Sequence, residues 1–122
     1  MASGTIRRTD WTLVWTNPNP SSAFTASSIN VNLSGYSYVK FVLNYSQTST
    51  TQFICECAVG KRANPYGLTN VIGNSYVGAR QRAFTTSTSG VTVDLDYYHQ
   101  LNQNTYSEGI GTYFIPVEIW AR

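Results

Sequence analysis

The stretch that most constrains this chain is Tyr38–Gly60, YVKFVLNYSQTSTTQFICECAVG. Val39, Phe41, Leu43 and Tyr45 recur at every second position, and Phe53, Cys55, Cys57 and Val59 repeat the pattern after a polar break over Ser46–Thr51. Period-2 alternation places each set on one face of a strand. Two such runs joined by six small polar residues predict an antiparallel hairpin at the centre of a β-sheet domain. Cys55 and Cys57 then share a face, with Cα atoms roughly 6.5–7 Å apart. That separation is at or beyond the reach of a disulfide. They are expected to be free thiols acting as small buried hydrophobes.

The flanking segments extend the same pattern. Trp11–Thr16 places Trp11, Leu13 and Trp15 on one face, and the Asn17–Ser22 segment, with Pro18 and Pro20, stops the strand. Ile29, Val31 and Leu33 alternate next, before a turn at Ser34–Tyr36. In Tyr76–Ser87, Val77, Ala79, Gln81 and Ala83 oppose Gly78, Arg80, Arg82 and Phe84. Val91, Val93 and Leu95 then alternate against Thr92, Asp94 and Asp96. Thr112–Trp120 closes the chain, and Pro116 within it predicts a sheet edge or a bulge. Two stretches read as long irregular loops, Lys61–Ser75 (with a short strand near Leu68–Ile72) and Tyr97–Gly111. No segment has sustained helical periodicity. The expected fold is all-β: one antiparallel β-sandwich domain over residues 11–122, of jelly-roll type with seven to eight strands. A polar, basic arm over residues 1–10 precedes it, with Ile6, Arg7 and Arg8 as a docking segment.

Charge and motifs exclude more than they assign. Eight basic residues against six acidic ones give a net charge of +2 without a basic stripe, which speaks against a nucleic-acid surface. No run approaches the roughly 18 apolar residues that span a bilayer, so membrane insertion is not expected. The first residues lack the apolar middle of a signal peptide, from which we expect synthesis in a cytoplasm. Neither a zinc spacing, a phosphate loop, a dinucleotide fingerprint nor a nucleophile elbow is present, and no metal or cofactor is expected. Asp94, Asp96 and Glu108 form the best acid cluster for glycan hydrolysis or calcium. It reads more simply as a solvated strand end, and the chain is expected not to be an enzyme.

The aromatic content is the informative part of the composition. Nine Tyr and three Trp accompany charged residues at 11%, where about 25% is typical. Trp11, Trp15, Phe41, Phe53 and Tyr113 fit core phases. Tyr66, Tyr76, Tyr97, Tyr98 and Tyr106 sit among polar neighbours, where a rigid ring with a hydroxyl suits a subunit interface or a sugar face. Tyr97, Tyr98, His99 and Tyr106 are the candidate glycan-binding residues. Arg80 and Arg82 face one way. They are solvated on a monomer, but in an oligomer they reach a neighbour's carboxylate and act as interface residues.

Both ends of the chain carry a resemblance. Leu13–Phe24, LVWTNPNPSSAF, then INVNLSGY at Ile29–Tyr36, and finally YFIPVEIW at Tyr113–Trp120 after Asn104–Gly111 together resemble a β-domain of minor structural and tail-fibre-type proteins of bacteriophages. The chain departs from that pattern in having no stem or repeat before Trp11 and in ending with Ala121-Arg122 rather than Gly. The resemblance implies a non-enzymatic virion protein, surface-exposed on the tail or decorating the capsid and commonly a homotrimer. Its partners would be copies of itself, other virion proteins and host-surface glycans. No catalytic residue is carried over.

Overall fold

The computed structural model describes residues 10–49, 51–71 and 76–122. The proposed docking residues Ile6, Arg7 and Arg8 lie outside them. The described residues form ten strands: β1 (Thr12–Thr16), β2 (Ser27–Asn30), β3 (Tyr38–Asn44), β4 (Gln52–Ala58), β5 (Arg62–Ala63), β6 (Tyr66–Val71), β7 (Tyr76–Ser87), β8 (Gly90–Asn102), β9 (Thr105–Gly111) and β10 (Ile115–Ala121). They make two antiparallel sheets, as the alternation predicts for a sandwich.

The first sheet runs β1-β10-β3-β4. Its centre is the expected hairpin, with Val39 opposite Cys57, Phe41 opposite Cys55 and Leu43 opposite Phe53. Val39, Phe41 and Leu43 are fully buried, and the β4 residues pack against the same core. Both cysteines are free and only half-buried, because β4 is the edge of this sheet. Pro116 does not mark an edge. β10 lies between β1 and β3, and the chain accommodates the proline with a bulge between Pro116 and Glu118. A second bulge between Leu13 and Trp15 breaks the expected alternation of β1. Val14 and Trp15 both pack on the core and Leu13 is exposed. Trp11 is not a core residue either. Its ring lies beneath the Lys40 ammonium at 4.8 Å and the Arg122 guanidinium at 4.4 Å.

The second sheet runs β2-β8-β7-β5, with β6 added to β7 and β9 to β8. The long β7–β8 hairpin is its spine. At the near end Phe84 pairs with Val93 and Thr86 with Val91, and these side chains are buried. The Phe84 and Phe41 rings stack at 4.6 Å across the two sheets, which fixes the centre of the core. The register of β7 on β8 then shifts between Arg82 and Phe84, so the bulge falls at Asp94–Leu95. An extra residue on one strand reverses which of its side chains point inward. Beyond the bulge Asp96, Tyr98 and Gln100 pair with the inward Arg82, Arg80 and Gly78.

Past that bulge the spine continues between β6 and β9, and this is where the structure departs furthest from the expected loops. Tyr97–Gly111 is the end of β8, a tight turn and β9; Lys61–Val71 holds β5 and β6. The strand expected near Leu68 is part of β6, and the count rises from seven or eight to ten. The missed turn explains much of this. Asn102 pairs with Thr105 around Gln103-Asn104, with Gln103 at a φ of 55°. Glycine, asparagine or aspartate signals such a turn, and glutamine in that conformation does not.

Candidate functional site

The four-stranded end formed by β6, β7, β8 and β9 has two unlike faces. Registers assign the outer face in rows. Val77, Leu101 and Tyr106 are aligned in one row, Leu68, Ala79, His99 and Glu108 in the next, and Tyr66, Gln81, Tyr97 and Ile110 in the third. Leu68 is 67% exposed, Ile110 60% and Tyr66 59%, and Val77, Tyr97, Leu101 and Tyr106 are exposed as well. Four strands at about 4.8 Å spacing and five residues at about 3.4 Å give a surface roughly 15 by 17 Å. Isolated exposed leucines are ordinary, but a contiguous apolar sheet face is not.

A polar group is set into this surface. The Tyr106 hydroxyl donates to Glu108 Oε2 at 3.0 Å and lies 2.9 Å from His99 Nδ1. His99 Nδ1 is also 3.3 Å from Glu108 Oε2, and the His99 and Tyr106 rings stack at 6.5 Å. The hydrogen bond to Glu108 pushes the Tyr106 phenol above its ordinary value. Beside it, Tyr97, Tyr98, His99, Glu108, Gly109 and Ile110 line an open depression of about 380 Å³.

Of the expected glycan residues, Tyr97, His99 and Tyr106 are brought together on this face. Tyr98 is on the other: it follows Tyr97 along the strand and so points the opposite way. The acid cluster does not form. Asp96 is fully buried on the inner face, Glu108 lies on the outer face, and Asp94 sits at the bulge, 3.5 Å from Arg62. The bulge separates two carboxylates that unbroken alternation would place side by side. Among the described residues, no group of three or more His, Cys, Asp or Glu side chains could hold a metal.

The inner face corrects the reading of Arg80 and Arg82 as solvated or interface residues. Both are buried. The Arg82 guanidinium is fully enclosed and gathers four backbone carbonyls: Nε donates to Asp94 O at 2.8 Å, Nη1 to Tyr113 O at 3.0 Å and Phe114 O at 3.3 Å, and Nη2 to Phe24 O. It therefore ties the β8 bulge, the segment before β10 and the loop before β2 into one knot. Those irregular segments have carbonyls without ladder partners, and a buried carbonyl must be satisfied by something. Burial pulls the Arg82 value down to about 10, against the favourable charge of Asp96 and Asp94.

Arg80 donates through Nη1 to Asp96 Oδ2, which also accepts the Tyr113 backbone N–H at 3.1 Å. Around the Arg80 guanidinium stand the rings of Tyr113, Tyr45 and Tyr98, at 5.0, 5.4 and 5.5 Å. Tyr113, expected in the core, thus lies half over this arginine and is 40% exposed. Phe114 takes the core place instead, fully buried at a φ of 56°. A left-handed conformation costs a side chain about 1–2 kcal/mol. It is held by the Arg82 bonds, by an N–H bond to Tyr45 O at 3.1 Å and by ring contacts with Phe53 and Tyr45.

Sequence reasoning identified the aromatic members of the outer face but missed Leu68, Val77, Leu101 and Ile110. The signal was present: each lies two residues from another face member, Val77 and Leu68 in expected strands and Leu101 and Ile110 in a run expected as loop. No family model matches the chain, and no curated protein or solved structure matches it significantly.

Proposed function

We propose that this chain is a non-catalytic structural module that assembles with copies of itself through the outer face of β6, β7, β8 and β9. The contiguous apolar surface there carries the reading. A second copy is the occupant its chemistry favours. Glu108 is the one carboxylate among the face residues, and it is already engaged by Tyr106, so copies of this face converge on a common axis without repulsion between unpaired charges. The setting follows from the sequence resemblance: a bacteriophage virion, on the tail or the capsid, with the module as a homotrimer. Replacing Leu68 and Ile110 with glutamate together leaves the fold intact, since both are largely exposed, and converts the assembly to monomer. Light scattering coupled to size exclusion reads this directly; an unchanged mass for that variant removes the assignment.

A second reading uses the same face for host glycans. The depression beside Tyr97, His99 and Glu108 favours it, with a ring to stack on and a carboxylate to accept a sugar hydroxyl. Tyr97→Ala and Tyr106→Ala then abolish binding to host cells or to glycan arrays, and unchanged binding by both variants rules it out.

A further inference from the structure

Along the inner face a second depression, of about 310 Å³, is lined by Arg80, Tyr98, Gln100, Gly111, Thr112 and Tyr113, with Ile110 at its margin. This volume is at the small end of ligand sites, which run about 300–1,000 Å³. Three observations distinguish it from a surface irregularity. First, Arg80 is only 7% exposed, yet half of its guanidinium has no hydrogen-bond partner among the described residues. Nη1 is taken by Asp96, Nε is buried without a hydrogen bond, and Nη2 makes none among the described residues. The unpaired Nε–Nη2 edge is one of the two edges through which arginine donates a parallel pair of bonds to a carboxylate. Second, the guanidinium is held in place by Asp96 and three tyrosine rings, so its orientation is set before any ligand arrives. Third, β9 carries glycine where the cleft wall packs closely against it, which fixes Asp96, Arg80 and Tyr98 in place. A Cβ at Gly111 would come within 3.0 Å of Asp96 Oδ2 and 3.4 Å of Arg80 Nη1, and one at Gly109 would come within 2.7 Å of the Tyr98 hydroxyl.

We infer that this cleft binds a small hydroxylated carboxylate of the sugar-acid class. The carboxylate meets the Nη2 side of Arg80, and a shift of the half-exposed Tyr113 ring extends the contact to Nε. The Gln100 amide makes no hydrogen bond among the described residues and stands ready for a ligand hydroxyl. The rings of Tyr98 and Tyr113 give the sugar an apolar wall, the usual complement to polar anchors in such sites. The inference is carried by Arg80 and does not depend on the assembly; Ile110 borders both surfaces, and Leu68 only the outer one.

The test titrates the intact chain with glucuronate, glucose and acetate, following backbone amide shifts at Gln100, Gly111 and Thr112. Glucuronate is expected to shift these resonances saturably, with glucose and acetate each at least tenfold weaker. Arg80→Lys keeps the charge but loses the two-pronged edge, and is expected to weaken glucuronate at least tenfold; Gln100→Ala, outside the buried ion pair, covers the case in which that variant fails to fold and is expected to lower affinity several-fold. Leu68→Glu, on the outer face and outside the cleft lining, is expected to leave the titration unchanged. Absence of saturable shifts with glucuronate overturns the inference, as does acetate binding as tightly as glucuronate, or undiminished binding by folded Arg80→Lys or Gln100→Ala.

Discussion

At the scale of single residues, the account turns on the buried Arg80–Asp96–Arg82 row. Removing a buried charged side chain that gathers several otherwise unsatisfied groups costs about 3–5 kcal/mol. Arg82→Met is therefore expected to lower the free energy of unfolding by about that much in urea titration, because it strands the buried Asp94, Tyr113, Phe114 and Phe24 carbonyls. Lysine, with one donor centre, is expected to recover little of it. Asp96 has the opposite pH signature from an ordinary surface acid. Burial holds its carboxyl above the usual 3.8, and the charges of Arg80 and Arg82 only partly oppose this. A carboxyl that binds its proton more tightly when folded favours folding below 3.8, and that contribution is lost as pH rises through its raised value. The stability difference between wild type and Asp96→Asn, from denaturant curves across this range, is expected to fall with rising pH; a difference that grows with pH contradicts it.

These charges were the least legible part of the sequence, for a local reason. Alternation through Val91, Val93 and Leu95 puts Asp94 and Asp96 outside together, and one extra residue in β8 reverses the second of them. No residue type announces that bulge. By contrast Phe41, Leu43 and Val39 announced themselves, because one buried face against one wet face leaves no other solution.

At the scale of elements, strand and edge explain which segments could be read. β3 and β4 were read correctly with their partner faces, and the spacing argument against a Cys55–Cys57 disulfide agrees with two free thiols. Burial, with the charges of Cys57 and Glu56, pushes the Cys55 thiol up to about 12. The thiolate is the reactive form. Cys55 is therefore expected to react with a thiol reagent at pH 8 at least about tenfold more slowly in the folded chain than after denaturation, followed by mass spectrometry. β6 was legible only as a short strand near Leu68 and β9 read as loop, because neither side of them is a clean core face: one meets Arg80, tyrosines and glycines, and the other is open. At the β8 start, a Cβ at Gly90 would come within 2.5 Å of the Ile29 carbonyl oxygen on β2. That contact is backbone and cannot swing aside. Gly90→Ala is expected to cost about 1–3 kcal/mol, the usual range for overpacking, and a melting temperature equal to wild type would show that β2 is not held this closely.

At the scale of the whole molecule, two different objects share the β7–β8 hairpin. Its near end closes a conventional core with the first sheet. Its far end carries β6 and β9 away from the bulge, with a charged and aromatic inner side and an apolar outer side. Sequence reading recovered an all-β fold of two antiparallel sheets and looked for function in the arm before Trp11 and in the two stretches Lys61–Ser75 and Tyr97–Gly111. It did not recover that the second of these stretches belongs to a sheet, and a sheet presents a surface where a loop would present scattered side chains. That surface is the basis of the proposed assembly. The most direct measurement is the mass of the chain in solution by sedimentation equilibrium, for wild type and for the Leu68→Glu, Ile110→Glu pair. The account predicts a defined oligomer, a trimer in the setting implied by the resemblance, and a folded monomer for the variant. A wild-type chain that remains monomeric at every concentration, or a variant of unchanged mass, contradicts it.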